Sequence, residues 1–238
     1  MKLDEVAVHD GQPVVAVSVA TVGDDAFRPP VALPTRRALY RNGAKRAFDI
    51  AFTLLLAPLL VPLVGLLALL VMSDGYTPFY GQKRVGRGGR IYRMWKLRSM
   101  VPDAEAALDA HLAADPEARA EWEHHQKLRR DPRVTSVGRV LRALSLDELP
   151  QFWNVLRGEM SLVGPRPMMP DQVALYPGRS YFTLRPGITG PWQVSDRNAT
   201  SFAARARFDN DYAEGLSFRS DLRLLLSTVK VVLRGTGC

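Results

Sequence analysis

The chain is nearly without cysteine. Its single one, Cys238, is the last of 238 residues, so no intramolecular disulfide holds the fold. That pattern fits a reducing compartment. A terminal cysteine is not a prenylation signal, which needs further residues after it. No basic-then-apolar leader opens the chain, because Asp4, Glu5 and Asp10 interrupt its start. No internal repeat or low-complexity tract is present. Acidic residues are in deficit, 24 Asp and Glu against 32 Lys and Arg, for a net charge of +8 and a pI of about 9.9. Such a balance suits anionic partners: nucleic acid, phospholipid head groups or a phosphorylated substrate. Nucleic acid is disfavoured, since no helix-turn-helix, RNP or zinc-ligand spacing occurs.

One stretch lacks charge altogether. Ile50–Met72, IAFTLLLAPLLVPLVGLLALLVM, is longer than the roughly 20 apolar residues that cross a bilayer. Pro58 and Pro62 lie inside it, and each removes a backbone donor and bends a helix. Arg36, Arg37, Arg41, Lys45 and Arg46 precede the run; Lys83, Arg84, Arg87 and Arg90 follow it. Positive charge favours the cytoplasmic side, so both ends ask for the same side. A re-entrant helix that dips into one leaflet and returns satisfies both flanks, and a kinked spanning helix is the alternative. Asp49, at the edge of the run, is expected to pair with Lys45 or Arg46 at head-group level. Residues before Pro34 mix valine with Gly, Asp and Pro and read as a variable, disordered tail.

Beyond the apolar run, PFYGQKRV and RIYRMWKLRSM are strand-like and joined by Gly86–Gly89, which predicts a hairpin. Pro102–Arg130 is helical and highly charged, with a break at Asp115-Pro116. Trp122 and Leu128 are its few apolar anchors, and Asp131-Pro132 ends it. Ser145-Leu146-Asp147-Glu148 fits a capping box, with Glu148 reaching back to the cap. Leu149, Phe152, Trp153 and Leu156 follow at helical spacing, and Gly158 is a natural stop. The last helical stretch, Leu216–Leu233, mixes leucine and valine with Arg219, Arg223 and Lys230. It fits a helix lying on anionic lipid as well as one packed on the core.

Capping accounts for Glu148, but not for Asp147. Around the pair the sequence places Arg139, Arg142, Arg157, Arg166 (stiffened by Pro165 and Pro167), Lys96 and Arg98. Guanidinium groups around two carboxylates bind a phosphate, with a divalent cation bridging the carboxylates to it. An aspartate can also attack phosphorus to form an acyl phosphate.

Together these residues resemble a family. The order runs Lys45-Arg46-Ala47-Phe48-Asp49, the apolar segment with proline, Arg84-Val85-Gly86, Lys96-Leu97-Arg98-Ser99-Met100, Ser145 to Asn154, Gly164-Pro165-Arg166-Pro167 and Arg185-Pro186-Gly187-Ile188-Thr189-Gly190. It is similar to bacterial sugar transferases, the monotopic polyprenyl-phosphate phosphoglycosyl transferases that start exopolysaccharide and O-antigen repeat units. The match covers roughly Arg41 to Arg234 and looks like the short exopolysaccharide form. The resemblance implies an α+β, helix-rich cytoplasmic catalytic domain with a small β-hairpin. It would be anchored by an N-terminal re-entrant membrane helix and amphipathic interfacial helices. Residues 1–40 would be the tail, 41–75 the re-entrant helix and 76–238 the catalytic domain.

It also implies a reaction: sugar 1-phosphate moves from a UDP-sugar to undecaprenyl phosphate at the inner membrane, releasing UMP. UDP-galactose or UDP-glucose is the usual donor of such starters. Asp147 matches the nucleophile, Glu148 its neighbour implicated with Mg²⁺, and Arg166 the phosphate-binding arginine. Asp209, in Asp209-Asn210-Asp211-Tyr212, is a further site candidate. Lys96, Arg98, Arg84 and Arg142 complete the expected phosphate-binding set. Departures are Ala57-Pro58 where the family often has Ser-Pro, Asp196 where glycine is common, and Pro191 where leucine is common. The sequence names neither the sugar nor the oligomeric state, so a homo-oligomer stays open. A non-catalytic membrane scaffold of the polysaccharide machinery is the alternative function.

Overall fold

The computed structural model describes residues 39–125, 128, 130–195 and 202–233. The expected tail before residue 39, Asp196 and Cys238 lie outside the described residues. In chain order a π-helical turn at Tyr40–Ala44 leads into α1 (Lys45–Met72), followed by strands β1 (Phe79–Val85) and β2 (Ile91–Leu97). Then come α2 (Ala104–Ala114), α3 (Pro116–His125), α4 (Ser136–Ala143), a 3-10 turn at Leu146–Glu148 and α5 (Gln151–Arg157). The chain continues through β3 (Ser161–Val163), a 3-10 stretch at Pro170–Leu175, α6 (Ser180–Thr183), β4 (Gly187–Thr189), α7 (Pro191–Val194), α8 (Arg205–Gly215) and α9 (Phe218–Leu233). The architecture is helix-rich with a small hairpin, as expected.

Helix α1 takes in the uncharged run, and at 1.5 Å per residue it is about 42 Å long. Among the described residues it is the one helix long and apolar enough to cross a membrane. Its burial is confined to its two ends, Lys45, Asp49 and Thr53 at one, Leu67, Ala68 and Val71 at the other. Between them Leu54, Leu55, Leu59, Val61 and Leu66 are exposed. Both ends dock on the same body. Leu67, Ala68 and Val71 pack with Leu97 of β2 and Leu141 of α4, while Asp49 reaches β3.

The expected pairing of Asp49 with Lys45 or Arg46 does not form. Asp49 is 1 % exposed, and its Oδ1 accepts from Ser161 Oγ at 3.0 Å and the Leu162 amide at 3.1 Å. Lys45 Nζ instead donates to Asp221 Oδ2 on α9 at 2.5 Å. Arg46 donates to the Val155 and Leu156 carbonyls, at 2.5 and 2.9 Å, and so caps the end of α5. A buried carboxylate needs donors with fixed geometry. The β3 amide supplies one, whereas a neighbouring lysine with a better partner does not. Three polar residues at the base of α1 thus tie it to three separate elements.

The hairpin forms where predicted, with Tyr80 opposite Lys96 and Arg84 opposite Tyr92. Directly paired residues share a face, so Tyr80, Gln82, Arg84, Lys96 and Met94 lie together, with Phe79 and Trp95 on the other side. The expected break between α2 and α3 is an N-cap: Asp115 Oδ1 accepts from the Glu117 and Ala118 amides at 2.9 and 3.0 Å. In α9 one side packs on the core and another is exposed. Leu224 and Leu225 pack on the core, while Phe218, Leu222, Leu226 and Val229 are exposed.

A second strand pair had no signal in the sequence. β3 and β4 run parallel, three residues each, and bring the Gly-Pro-Arg-Pro and Arg-Pro-Gly-Ile-Thr-Gly motifs together. The Gly164 amide donates to the Thr189 carbonyl at 2.9 Å, and the Gly187 amide to the Pro165 carbonyl at 2.8 Å. A Cβ at Gly190 would stand 2.0 Å from the Gly164 carbonyl oxygen. Glycine is required there by close approach, since its φ of −178° is ordinary extended backbone. Gly190→Ala is therefore expected to destabilise by about 3 kcal/mol or more, an overpacking clash against backbone that cannot yield. Thermal unfolding in detergent measures it, and an unchanged melting temperature would contradict the clash.

Candidate active site

Asp147 and Glu148 do not cap a helix. Ser145 sits at φ 55°, in the left-handed region, with no side-chain cap bond, and a 3-10 turn carries the two carboxylates. Helix α5 starts later, at Gln151, and stops at Gly158 (φ 80°) as expected. A non-glycine residue at positive φ is uncommon and marks a constrained turn. The capping-box expectation for Glu148 is thus overturned by its tertiary partner. Lys96 Nζ donates to Glu148 Oε1 at 2.7 Å and lies 3.9 Å from Asp147 Oδ2. One ammonium from β2 faces both carboxylates.

The edge of β2 is fixed so that this meeting occurs. Asn154, fully buried on α5, accepts from the Trp95 amide at 3.0 Å. Its Nδ2 donates to the Arg93 carbonyl at 2.7 Å and to Glu159 Oε2 at 2.6 Å. The amide side chain acts as a short piece of missing strand along the open edge, next to Lys96. Sequence reasoning did not single out this role, since an asparagine in a helix gives no sign of which strand edge it will meet.

The carboxylates differ in electrostatics. Burial pushes the Asp147 carboxyl above the ordinary aspartate value, with Glu148 adding to the rise and Lys96 and Arg142 opposing it. For Glu148 burial also pushes up, but Lys96, then Arg166 and Arg84, outweigh it and hold the group below its usual range. Glu148 is thereby the fixed anion of the pair, and Asp147 the one whose charge is less well satisfied.

A cleft of about 650 Å³ opens beside them, lined by Tyr80, Gln82, Arg84, Lys96, Arg98, Arg142, Asp147 and the stretch Ser99–Ala106, which enters α2. That volume is in the range of small-ligand sites. Arg84 donates to Gln82 Oε1 at 2.6 Å and the Pro167 carbonyl at 3.1 Å, and its buried Nε has no partner among the described residues. Burial, then the charge of Arg166, lowers the Arg84 pKa. Two mutually repelling guanidiniums in a desolvated place favour an arriving anion. Arg98 is at the rim, donating to Thr77 and lying 5.7 Å from the Tyr80 ring centroid.

Arg166 is not among the cleft-lining residues, although its charge acts on both Glu148 and Arg84. Its guanidinium lies over Trp192, 5.5 Å from the ring centroid. Arg205 lies 5.2 Å from the same ring and donates to the Arg166 carbonyl at 2.6 Å. Arg205 and Trp192 thus hold Arg166, a support the sequence did not disclose. Asp209 stands apart from the cleft lining. It is 1 % exposed and accepts from the Tyr176 hydroxyl at 2.6 Å, and burial raises its pKa to about 6. It lies on α8, one helical turn after Arg205, whose charge opposes the rise.

Two carboxylates and several cations meet at one cleft, an arrangement suited to a phosphorylated ligand. The family model for bacterial sugar transferases matches residues 40–235, and the chain belongs to that family. It is 47% identical over 195 residues to the UDP-galactose-lipid carrier transferase of Erwinia amylovora, covering 81% of this chain and 41% of that protein. It is 46% identical over 195 residues to the undecaprenyl-phosphate galactose phosphotransferase of Salmonella typhimurium, again 81% and 41%. With the exopolysaccharide production protein ExoY of Rhizobium meliloti the identity is 44% over 197 residues, 82% of this chain and 87% of that protein. The chain therefore spans about two fifths of the first two relatives and most of the third.

Proposed function

We propose that this chain transfers sugar 1-phosphate from a UDP-sugar to undecaprenyl phosphate, the step that begins an exopolysaccharide repeat unit. The observation that carries the reading is a buried aspartate, short of counter-charge, at the wall of an arginine- and lysine-lined cleft. An Asp147 oxygen bonds to the sugar-bearing phosphorus, and the bond from that phosphorus to the bridging oxygen breaks, releasing UMP. An oxygen of undecaprenyl phosphate then attacks the same phosphorus. The bond to Asp147 breaks, the carboxylate returns, and undecaprenyl-diphospho-sugar leaves. Covalent catalysis of this kind gives ping-pong kinetics. Arg84, Arg98 and Arg142 hold the diphosphate, Arg166 adds positive charge from outside the cleft lining, and Lys96 keeps Glu148 ionised and Asp147 accessible as an anion. UDP-galactose is the first donor to try, since two relatives carry galactose in their names, and UDP-glucose the second.

The residues present fit Mg²⁺ carried in by the substrate. No cluster of three or more His, Cys, Asp or Glu occurs among the described residues, so a closed cage is not what they offer. Mg²⁺ is commonly held by one or two carboxylates plus substrate phosphates, and Asp147 and Glu148 make such a pair. When bound it supplies charge that offsets repulsion between the carboxylates and the diphosphate. Activity is expected to vanish in EDTA and to return with Mg²⁺ or Mn²⁺. Full turnover in excess chelator would remove the ion from the reading.

The placement at the cytoplasmic face of the inner membrane rests on α1. A straight span puts its ends on opposite sides of a hydrocarbon core about 30 Å thick, whereas both ends of α1 pack on one body. Pro58 and Pro62, between those ends, permit the bend that a re-entrant helix requires. The exposed stripe of α9, Phe218, Leu222, Leu226 and Val229, lies beside the exposed cations Arg219, Arg223 and Lys230 and suits an anionic lipid surface. With Cys238 replaced, single cysteines near Thr35 and near Pro102 should both be shielded from a membrane-impermeant thiol reagent in intact cells. Labelling of the tail position alone would show a true span.

The function itself is tested by UMP release from detergent-solubilised protein across a panel of UDP-sugars, with and without undecaprenyl phosphate. Donor alone should add one sugar phosphate to the intact mass, labile to hydroxylamine and discharged by the lipid. No adduct and no UMP with any donor would return the chain to a scaffold role.

A further inference from the structure

We infer that Asp209 is a positioning residue for the donor: through Arg205 it holds the Gly164–Pro167 loop, and with that loop an arginine that faces the diphosphate. The inference rests on the phosphate-binding reading of the cleft given above. Asp209 is not among the cleft-lining residues, so its effect is relayed. Arg205, one turn earlier on α8, is 5 % exposed. Its guanidinium lies over the rings of Phe202 and Trp192, at 4.8 and 5.2 Å from their centroids, and donates to the Arg166 carbonyl at 2.6 Å. The next carbonyl, Pro167, accepts from Arg84 at 3.1 Å, and Arg84 lines the cleft. The residue after the loop is tied from the same side. The Tyr181 hydroxyl accepts from the Met168 amide at 3.2 Å and donates to the Val85 carbonyl at 2.5 Å. Its ring packs edge-on against Tyr176, whose hydroxyl donates to Asp209.

The relay needs the charge of Asp209. The buried Nε of Arg205 has no partner among the described residues. Burial weighs most against the Arg205 cation, Asp209 offsets that, and Arg166 repels it. A buried cation that loses its counter-charge is strongly disfavoured, so Arg205 leaves the Arg166 carbonyl and the loop is freed. Direct repulsion between Asp209 and the donor has the opposite sign, but Asp209 stands behind Arg205 and outside the lining. The carboxyl titrates at about 6, raised by burial and lowered by the Tyr176 hydrogen bond and Arg205. Among the described residues, the other groups around it keep their charge there. Burial pushes the Tyr176 and Tyr181 hydroxyls up, Arg205 stays a cation, and α7 brings no titratable side chain. The relay is therefore intact above about pH 6 and is lost as pH falls through that value.

The test is donor binding, measured without turnover. Detergent-solubilised Asp147→Asn protein is titrated calorimetrically with UDP-galactose and with UDP-glucose between about pH 5 and 8. That background holds the donor without consuming it and removes the titration of Asp147. A UDP-sugar carries no phosphate monoester, whose second proton leaves at about 6 and would obscure the profile. The affinity should fall as pH drops through about 6. Adding Asp209→Asn keeps an acceptor for Tyr176 but removes the charge. It should weaken binding about tenfold near pH 8 and abolish the step. Arg205→Met on top should cost little more, because both residues act in one path. Tyr176→Phe keeps the carboxylate but removes a bond that lowers its pKa. Its midpoint should move upward, with affinity near pH 8 within about twofold of the background. Unchanged or tighter binding in a folded Asp209→Asn protein, or a Tyr176→Phe midpoint that does not move, overturns the inference and leaves the cleft reading standing. If Asp209→Asn does not fold, the Tyr176→Phe midpoint decides alone. No binding of either donor to the background protein overturns the cleft reading and the inference together.

Discussion

Asp147→Asn is expected to release essentially no UMP and to trap no sugar phosphate, while the fold stays intact. An amide keeps the size of the carboxylate and much of its hydrogen bonding, so the 3-10 turn at Leu146–Glu148 has no reason to rearrange. The substitution removes the negative charge that makes the oxygen a nucleophile toward phosphorus. It also removes a carboxylate that burial already penalises, so the variant should be no less stable than the parent. Losing a covalent nucleophile typically costs several powers of ten in kcat, with a residue of activity from the rest of the site. Thermal unfolding and intact mass, measured on the same sample, separate loss of chemistry from loss of fold. Turnover within a few-fold of the parent in a folded protein would defeat covalent attack by this residue.

Lys96→Met should have the next largest effect. Methionine keeps an unbranched stem, so the packing of β2 is preserved, but the ammonium that faces both carboxylates is gone. Lys96 provides the largest opposition to the burial-driven rise of Asp147 and the largest downward pull on Glu148. Removing it raises both pKa values. Each carboxylate then takes up its proton at a higher pH, and the acid limb of the rate profile moves upward. The parent limb should already lie above the ordinary aspartate value of 3.8, because burial raises Asp147. Loss of a preorganised charge in a site of this kind typically costs about 10² to 10³ in kcat. A folded Lys96→Met variant whose acid limb does not move would show that another cation balances the pair.

The effects of these variants follow from contacts that different levels of the chain decide. The sequence alone determined α1, because an uncharged run of that length has few alternatives in water. It determined the hairpin and its glycine turn, the Asp115 cap and the Gly158 stop, because turn and cap chemistry acts over a few residues. It determined which cations were candidates for phosphate, because their types and order matched one family. Only the tertiary structure decided what the acidic pair does. Ser145 to Glu148 has the letters of a capping box, yet Ser145 adopts φ 55° and Glu148 takes Lys96 from a strand some fifty residues earlier. Likewise Asp49 sits one helical turn from Lys45 but bonds to Ser161 and Leu162, leaving Lys45 to Asp221. The parallel pairing of β3 with β4 and the support of Arg166 by Arg205 also join residues far apart in the chain. Periodicity and turn residues are local signals, whereas a buried charge takes the best-placed donor that packing brings to it. Which donor that is depends on how the whole chain closes, and no window of sequence contains it.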